Sequence, residues 1–211
     1  MPVALTAPYV GLYNQPPQGF ALAPPLSPEG KGKYAGNPIV ILGGSSSVGQ
    51  NGKSHYHLSE KSLLVTPTAA DHSAIQLAKL SGFSPIITIA SLKHAEYLKS
   101  LGATHIIDRN ISGAALASEI NNITYNAPIK YAVDSISLPD TQQTAYDLLA
   151  PGGKLVLFRP VQIKTIEEKS VLSVSGFIRN PPNVELLKTL YHDHLERLLK
   201  EGAIKVSHDR I

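Results

Sequence analysis

The run Val40-Ile41-Leu42-Gly43-Gly44-Ser45-Ser46-Ser47-Val48-Gly49-Gln50 constrains this chain more than any other stretch. A short apolar strand that ends in a glycine-serine turn normally opens at once onto a helix, because backbone N–H groups at a helix N-terminus can hold a phosphate. Here the helical sequence AIQLAKLSGF follows only after NGKSHYHLSEKSLLVTPTAADHS. The loop announces a fold and then interrupts it.

Downstream, strands and helices alternate. PIVIL, SPIITIA, THIID, IKYAVDS and GKLVLF read as short buried strands, and VLSVSGFI as a sixth. AIQLAKLSG, HAEYLKSLG, ALASEINNI and DTQQTAYDLLAPGG read as helices, several closing on a glycine suited to a left-handed C-cap. Strands separated by helices imply right-handed crossovers and a parallel sheet, so the expected fold is α/β, a doubly wound parallel sheet of Rossmann type. Residues 14–37 are dense in Pro and Gly and read as a linker that carries no core. In VELLKTLYHDHLERLLKEGAI, Val184, Leu187, Leu190, Leu195, Leu198 and Leu199 form one apolar stripe. His192 and His194 are two apart and point to different helix faces, which argues against a shared metal.

Composition removes several functions. The 211 residues contain no cysteine, which excludes disulfides, thiolate catalysis and Cys-ligated metal. Lys and Arg are interspersed with acids at a net charge of +3, so no nucleic-acid partner is expected. No apolar run approaches the roughly 18 residues of a membrane span. Met1 is not followed by a charged-then-apolar signal, and a cytoplasmic protein is expected.

The cofactor side can be read from two turns. Gly43, Gly44 and Gly49 do not match G-x-G-x-x-G letter for letter, yet they follow the first strand, and the serines can offer N–H and hydroxyl groups to a pyrophosphate. An acidic residue at the end of the second strand would suit a free ribose 2′-hydroxyl; this chain has Ala90-Ser91-Leu92-Lys93-His94 instead. A hydroxyl and a cation suit a 2′-phosphate, which favours NADPH over NADH; the structural alternative is helix capping by Ser91 beside a solvated Lys93.

GGSSSVGQ, AIQLAKLSGFSPIITIASLKH, LKSLGATHIIDR and LAPGGKLVL together resemble the cofactor domain of the medium-chain dehydrogenase/reductase superfamily. Within it they resemble the zinc-free branch of quinone oxidoreductases and fungal enoyl reductases, often labelled zinc-binding dehydrogenase-like. The resemblance implies pyrophosphate contacts from Gly44, Ser45, Ser46, Ser47 and Val48, and a 2′-phosphate held by Ser91, Lys93 and His94. It puts Arg109 near the adenine, and Ile136, Ser137, Leu157 and Phe158 beside the nicotinamide. It implies metal-free hydride transfer from NADPH to a small-molecule enone, enoyl thioester or quinone, and a homodimer formed near the last strands. No proton donor can be named.

The resemblance also defines segments. Residues 1–13 are similar to the helix that leaves the family's catalytic barrel, 14–37 form the linker, 38–180 the NADP-binding domain with an insert at 51–73, and 181–211 a C-terminal helix and shortened return segment. The expectation is a cofactor domain with remnants of the catalytic barrel. Relatives join GGSSSVGQ to AIQLAKLSG through about one residue, so the insert reads as a translated intron: Gly52-Lys53-Ser54, Ala70-Asp71 and His72-Ser73 permit donor, branch and acceptor signals in order. On that reading the helix starts at Ala74. The alternatives are a surface insertion or lid and, for the whole chain, a catalytically inactive nucleotide-binding fragment or defective gene product.

Overall fold

The computed structural model describes residues 3–27, 30–43 and 67–205. The chain enters through α1 (Val3–Tyr13) and then builds β1 (Ile39–Leu42), α2 (Pro67–Ser81), β2 (Ile86–Ala90), α3 (Ala95–Leu101) and β3 (His105–Asp108). It continues through α4 (Gly113–Thr124), β4 (Tyr131–Asp134), α5 (Pro139–Leu148), β5 (Lys154–Leu157) and β6 (Ser170–Ser173). It closes with α6 (Val184–Lys188), a π-helical turn over Thr189–His194 and α7 (Leu195–Lys200). The six strands pair in parallel in the order β3-β2-β1-β4-β5-β6. The expected doubly wound sheet is present, with its switch point between β1 and β4.

Alternation along β1 explains the layers. Ile39 and Ile41 face one core with Tyr9, Ile75, Leu77, Ile86 and Leu187. Val40 and Leu42 face the other with Ile87, Leu116, Ile120, Ala145 and Leu155. Burial of each such side chain stabilises by roughly 1.5 to 3 kcal/mol, and a one-residue slip would exchange the two faces. Register also levels the carboxyl edge. Leu42 lies opposite both Ile89 and Asp134, and Asp134 opposite Leu157, so the turns after these strands leave the sheet side by side.

Three expectations need correction. The Pro/Gly stretch does carry core: Phe20 and Leu22 are buried, and Phe20 packs its ring against Tyr131 at 5.4 Å. The chain doubles back there on the end of α1, with Phe20 N–H bonded to the Gly11 carbonyl at 2.8 Å and Leu22 N–H to the Leu12 carbonyl at 3.0 Å. Proline and glycine permit that reversal; they do not expel the apolar residues between them. Second, α2 begins at Pro67 and not at Ala74. Proline is tolerated in the first turn, where its missing N–H has no helical partner to lose, and Ala70, Asp71, His72 and Ser73 are buried. The first two turns of the helix therefore come from the stretch read as an insert, while 51–66 lie outside the described residues.

Third, the C-terminal stripe is narrower than the leucine spacing suggests. Leu187, Leu190 and Leu198 are buried, but Val184 and Leu199 are 40% and 39% exposed. The wide π turn between α6 and α7 shifts the helical phase, and Leu199 falls one residue beyond the buried line. Glycine termini are realised after α2 and α3, where Gly82 and Gly102 adopt φ of 88° and 126°. After α5 the chain instead leaves in extended conformation at Leu149.

Candidate functional site

The turn after β4 is a closed hydrogen-bond system. Asp134 is fully buried, and its Oδ1 accepts the N–H groups of Ile136 and Ser137, both at 2.9 Å. Its Oδ2 accepts the Thr141 hydroxyl at 2.7 Å, and Thr141 Oγ1 in turn accepts the Leu138 N–H at the start of α5. Ser137 donates its hydroxyl to the Asp134 carbonyl at 2.7 Å and accepts the Phe158 N–H at 2.9 Å. Gln142 reaches across from α5: its Nε2 bonds the carbonyls of Ser137 and Pro160, and its Oε1 accepts the Gln162 N–H. The turns after β4 and β5 thus move as one unit.

This network explains two local anomalies. Ser137 has φ of 54°, a left-handed conformation that costs a non-glycine residue about 1 kcal/mol, and its backbone and side-chain bonds hold it there. Burial pushes the Asp134 carboxyl up to about 6, opposed by the hydrogen bonds of Ser137, Thr141 and Ile136 and by the charge of Arg159. Desolvation wins because three neutral donors and one exposed cation only partly replace water.

The expected nicotinamide-side residues divide by what they offer. Ser137 is buried with its hydroxyl engaged on both sides, so it shapes the turn. Leu157 sends its side chain into the core. Ile136 and Phe158 are half-buried at the carboxyl edge and leave side-chain surface for a ligand.

At the other side of the edge, Ser91 precedes a single 3-10 turn, Leu92–His94. Ser91 makes no side-chain cap there, so the capping alternative has no support in this geometry, although its carbonyl accepts the His94 N–H at 3.1 Å. Lys93 is exposed and has no ion pair among the described residues. Arg109 is exposed one residue past β3, its N–H bonded to the Ala90 carbonyl at 3.1 Å, which brings the ends of β2 and β3 together. Lys93 and Arg109 therefore stand on adjacent strand ends, and β2 ends without a carboxylate. Asp108, the last residue of β3, stands level with Ala90 and shares this edge with the two cations.

Gly44, Ser45, Ser46, Ser47 and Val48 lie outside the described residues. Gly43 at the end of β1 is described: a Cβ there would strike the carboxylate of Asp71, which is wholly buried in α2. The first turns of α2 therefore pack against the end of β1. Next to Asp71, His72 is 6% exposed, stacks edge-on to Tyr97 at 4.9 Å, and has its Nδ1 buried without a hydrogen-bond partner. Burial, and then the charge of His94, pulls its pKa down to about 4, so the ring is neutral at pH 7. Among the described residues no cluster of three His, Asp or Glu could hold a metal, and His192 instead pairs with exposed Asp193 at 2.7 Å.

Sequence reading missed Asp134, Thr141, Gln142 and Asp71, and it took His72 for a solvated loop histidine, whereas the ring is buried in α2. Asp134 carried a usable signal: an acid at a strand end, three residues before a serine and seven before a threonine, is spaced for an Asx-type turn leading into a helix. Asp71 and His72 carried none, because only helix packing brings Asp71 to Gly43 and His72 to Tyr97.

Comparison with known proteins agrees with this geometry. The family profile described as zinc-binding dehydrogenase matches residues 72–184. A trans-enoyl reductase of Gibberella fujikuroi is 32% identical over 189 residues, covering 81% of this chain and 46% of its own length. The trans-enoyl reductase himH of Aspergillus japonicus is 26% identical over 211 residues, covering 99% of this chain and 52% of its own. Among solved structures, mycobacterial Rv1454c complexed with NADPH superposes with a TM-score of 0.64 at 17% identity, over 97% of this chain and 54% of that one. The chain spans about half or less of the length of the curated relatives it matches.

Proposed function

Because the chain belongs to the zinc-binding dehydrogenase family, we propose that it binds NADPH as the cofactor domain of a reductase acting on an enone, an enoyl thioester or a quinone. The observation that carries the cofactor choice is the pair of cations, Lys93 and Arg109, at the ends of β2 and β3 with no acid at the end of β2. When bound, NADPH supplies a hydride. This chain's residues bind and orient: Lys93, His94 and Arg109 neutralise the 2′-phosphate, and Gly44 to Val48 hold the pyrophosphate. Ile136 and Phe158 flank the nicotinamide from turns that Asp134, Ser137 and Gln142 keep rigid. The reading extends to a cytoplasmic protein and a homodimer at the free edge of β6, close to exposed Phe177 and Ile178. Light scattering should then give twice the chain mass, and a monomer at high concentration would remove the dimer.

The test of the cofactor is direct titration with NADPH and NADH. A clear preference for NADPH supports the reading; equal affinity removes it. Turnover of enones, enoyl thioesters or quinones tests the reductase. A second reading is a nucleotide-binding domain without catalysis, because the chain spans only about half the length of the reductases it matches. Binding without turnover over the whole substrate panel favours it. The origin of 51–73 as a retained intron is tested by sequencing the transcript across Gln50 to Ala74; a transcript that always encodes the segment makes it part of the protein.

A further inference from the structure

Towards the C-terminal end of α2, a cavity of about 450 Å³ opens between the loop before β1, α2, the end of α3 and the segment after α7. Lys31, Lys79 and Lys205 line it together with Gln76, Leu80 and Leu101, and no Asp or Glu of the described residues does. None of the three lysines has an ion pair among the described residues.

The lysines are rooted by the fold. The stem of Lys79 lies over Gly102, where a Cβ would come within 2.6 Å of its Cδ. Gln76, buried at 4% exposure, grips the backbone of Lys205 from both sides: Oε1 accepts its N–H at 2.6 Å and Nε2 donates to its carbonyl at 3.3 Å. Lys31 N–H bonds the Ser27 carbonyl at 3.1 Å, and the adjacent Gly32 N–H bonds the Leu80 carbonyl at 3.2 Å. Three like charges set around one concavity concentrate positive potential there and raise the local concentration of an anion. The volume suits a small molecule, and Leu80 and Leu101 supply an apolar wall for its uncharged part.

We propose that this cavity binds a small, multiply charged phosphate ester, with its phosphates on Lys31, Lys79 and Lys205, as a site separate from the cofactor edge. The proposal does not depend on which nicotinamide cofactor the chain uses. Calorimetric titration of the full chain at low ionic strength, with pyrophosphate and then ADP as probes, tests it. Pyrophosphate should bind and saturating NADPH should not displace it. Lys79→Gln and Lys205→Gln should each weaken binding about tenfold, the scale of one lost charge-assisted contact. Lys79→Arg should restore affinity, which separates a charge effect from damage to the fold, and Lys93→Ala should leave it unchanged. Displacement by NADPH, loss in Lys93→Ala, undiminished binding in both glutamine variants, or an equal response to sodium chloride at matched ionic strength would each overturn the proposal. Binding of ADP more tightly than pyrophosphate supports the apolar wall as part of the site.

Discussion

Two turns leave the same edge of the sheet and are built in opposite ways. The turn after β4 is buried and internally satisfied: every polar group of Asp134 and Ser137 described above has a partner within the protein. The turn after β2 is a single 3-10 turn with Lys93 exposed and without an ion pair among the described residues. Saturated groups fix geometry because unmaking any of their bonds orphans a buried partner, whereas a cation left in water can exchange water for a ligand. One turn is closed by its own bonds; the other leaves a cation in solvent.

The largest test of this contrast is Asp134→Ala against Lys93→Ala. The first strips the acceptor from two backbone N–H groups and a hydroxyl and should cost about 3 kcal/mol or more of unfolding free energy. The second should change stability by less than about 0.5 kcal/mol. Urea unfolding of both variants decides it, and similar losses would erase the distinction.

Protonation sharpens the comparison next. The Asp134 pKa of about 6 lies above its ordinary value of 3.8, so the native state holds this proton more tightly than the unfolded chain. Its contribution is full below about pH 4 and is lost as pH rises to about 6. His72, lowered from 6.5 to about 4, has the opposite sign: its contribution is full above pH 6.5 and is lost as pH falls towards 4. Each spans about 2 to 3 kcal/mol, so the intact protein should show a shallow dependence between pH 4 and 6.5. Asp134→Asn should expose a stability that climbs with pH over this range, and His72→Asn one that declines. Unfolding midpoints across the range test the pair; parallel profiles for both variants would show that the assignment is wrong.

A smaller effect concerns the ligand. Lys93→Ala should weaken NADPH by about fivefold, in keeping with an exposed charge contact, and leave NADH unchanged. Equal losses for both cofactors would take Lys93 out of the 2′-phosphate site.

The order of elements was legible because period-two and helical patterns are local: β1 to β5 and α3 lie within the stretches their residue spacing indicates, while α2, α4, α5 and β6 begin ahead of theirs and β6 ends at Ser173, short of the expected Ile178. The exposure of Lys93 and Arg109 was equally legible, since cations at strand ends remain in solvent whatever packs behind them. Burial was less so. Phe20 sits in a sequence that reads as linker, and it joins the core only because the chain folds back onto α1.

What the sequence determined by itself was the α/β architecture, the absence of thiol chemistry and the lack of an acid at the end of β2, each a property of residue type and spacing along the chain. Tertiary structure alone decided that Asp71 faces Gly43, that Ser137 shapes a turn instead of offering its hydroxyl, and that three lysines separated by 48 and 126 positions meet around one cavity. The physical reason is the same in each case. Desolvation and charge proximity depend on distance through space, and packing of helices on a sheet joins residues that no local pattern relates.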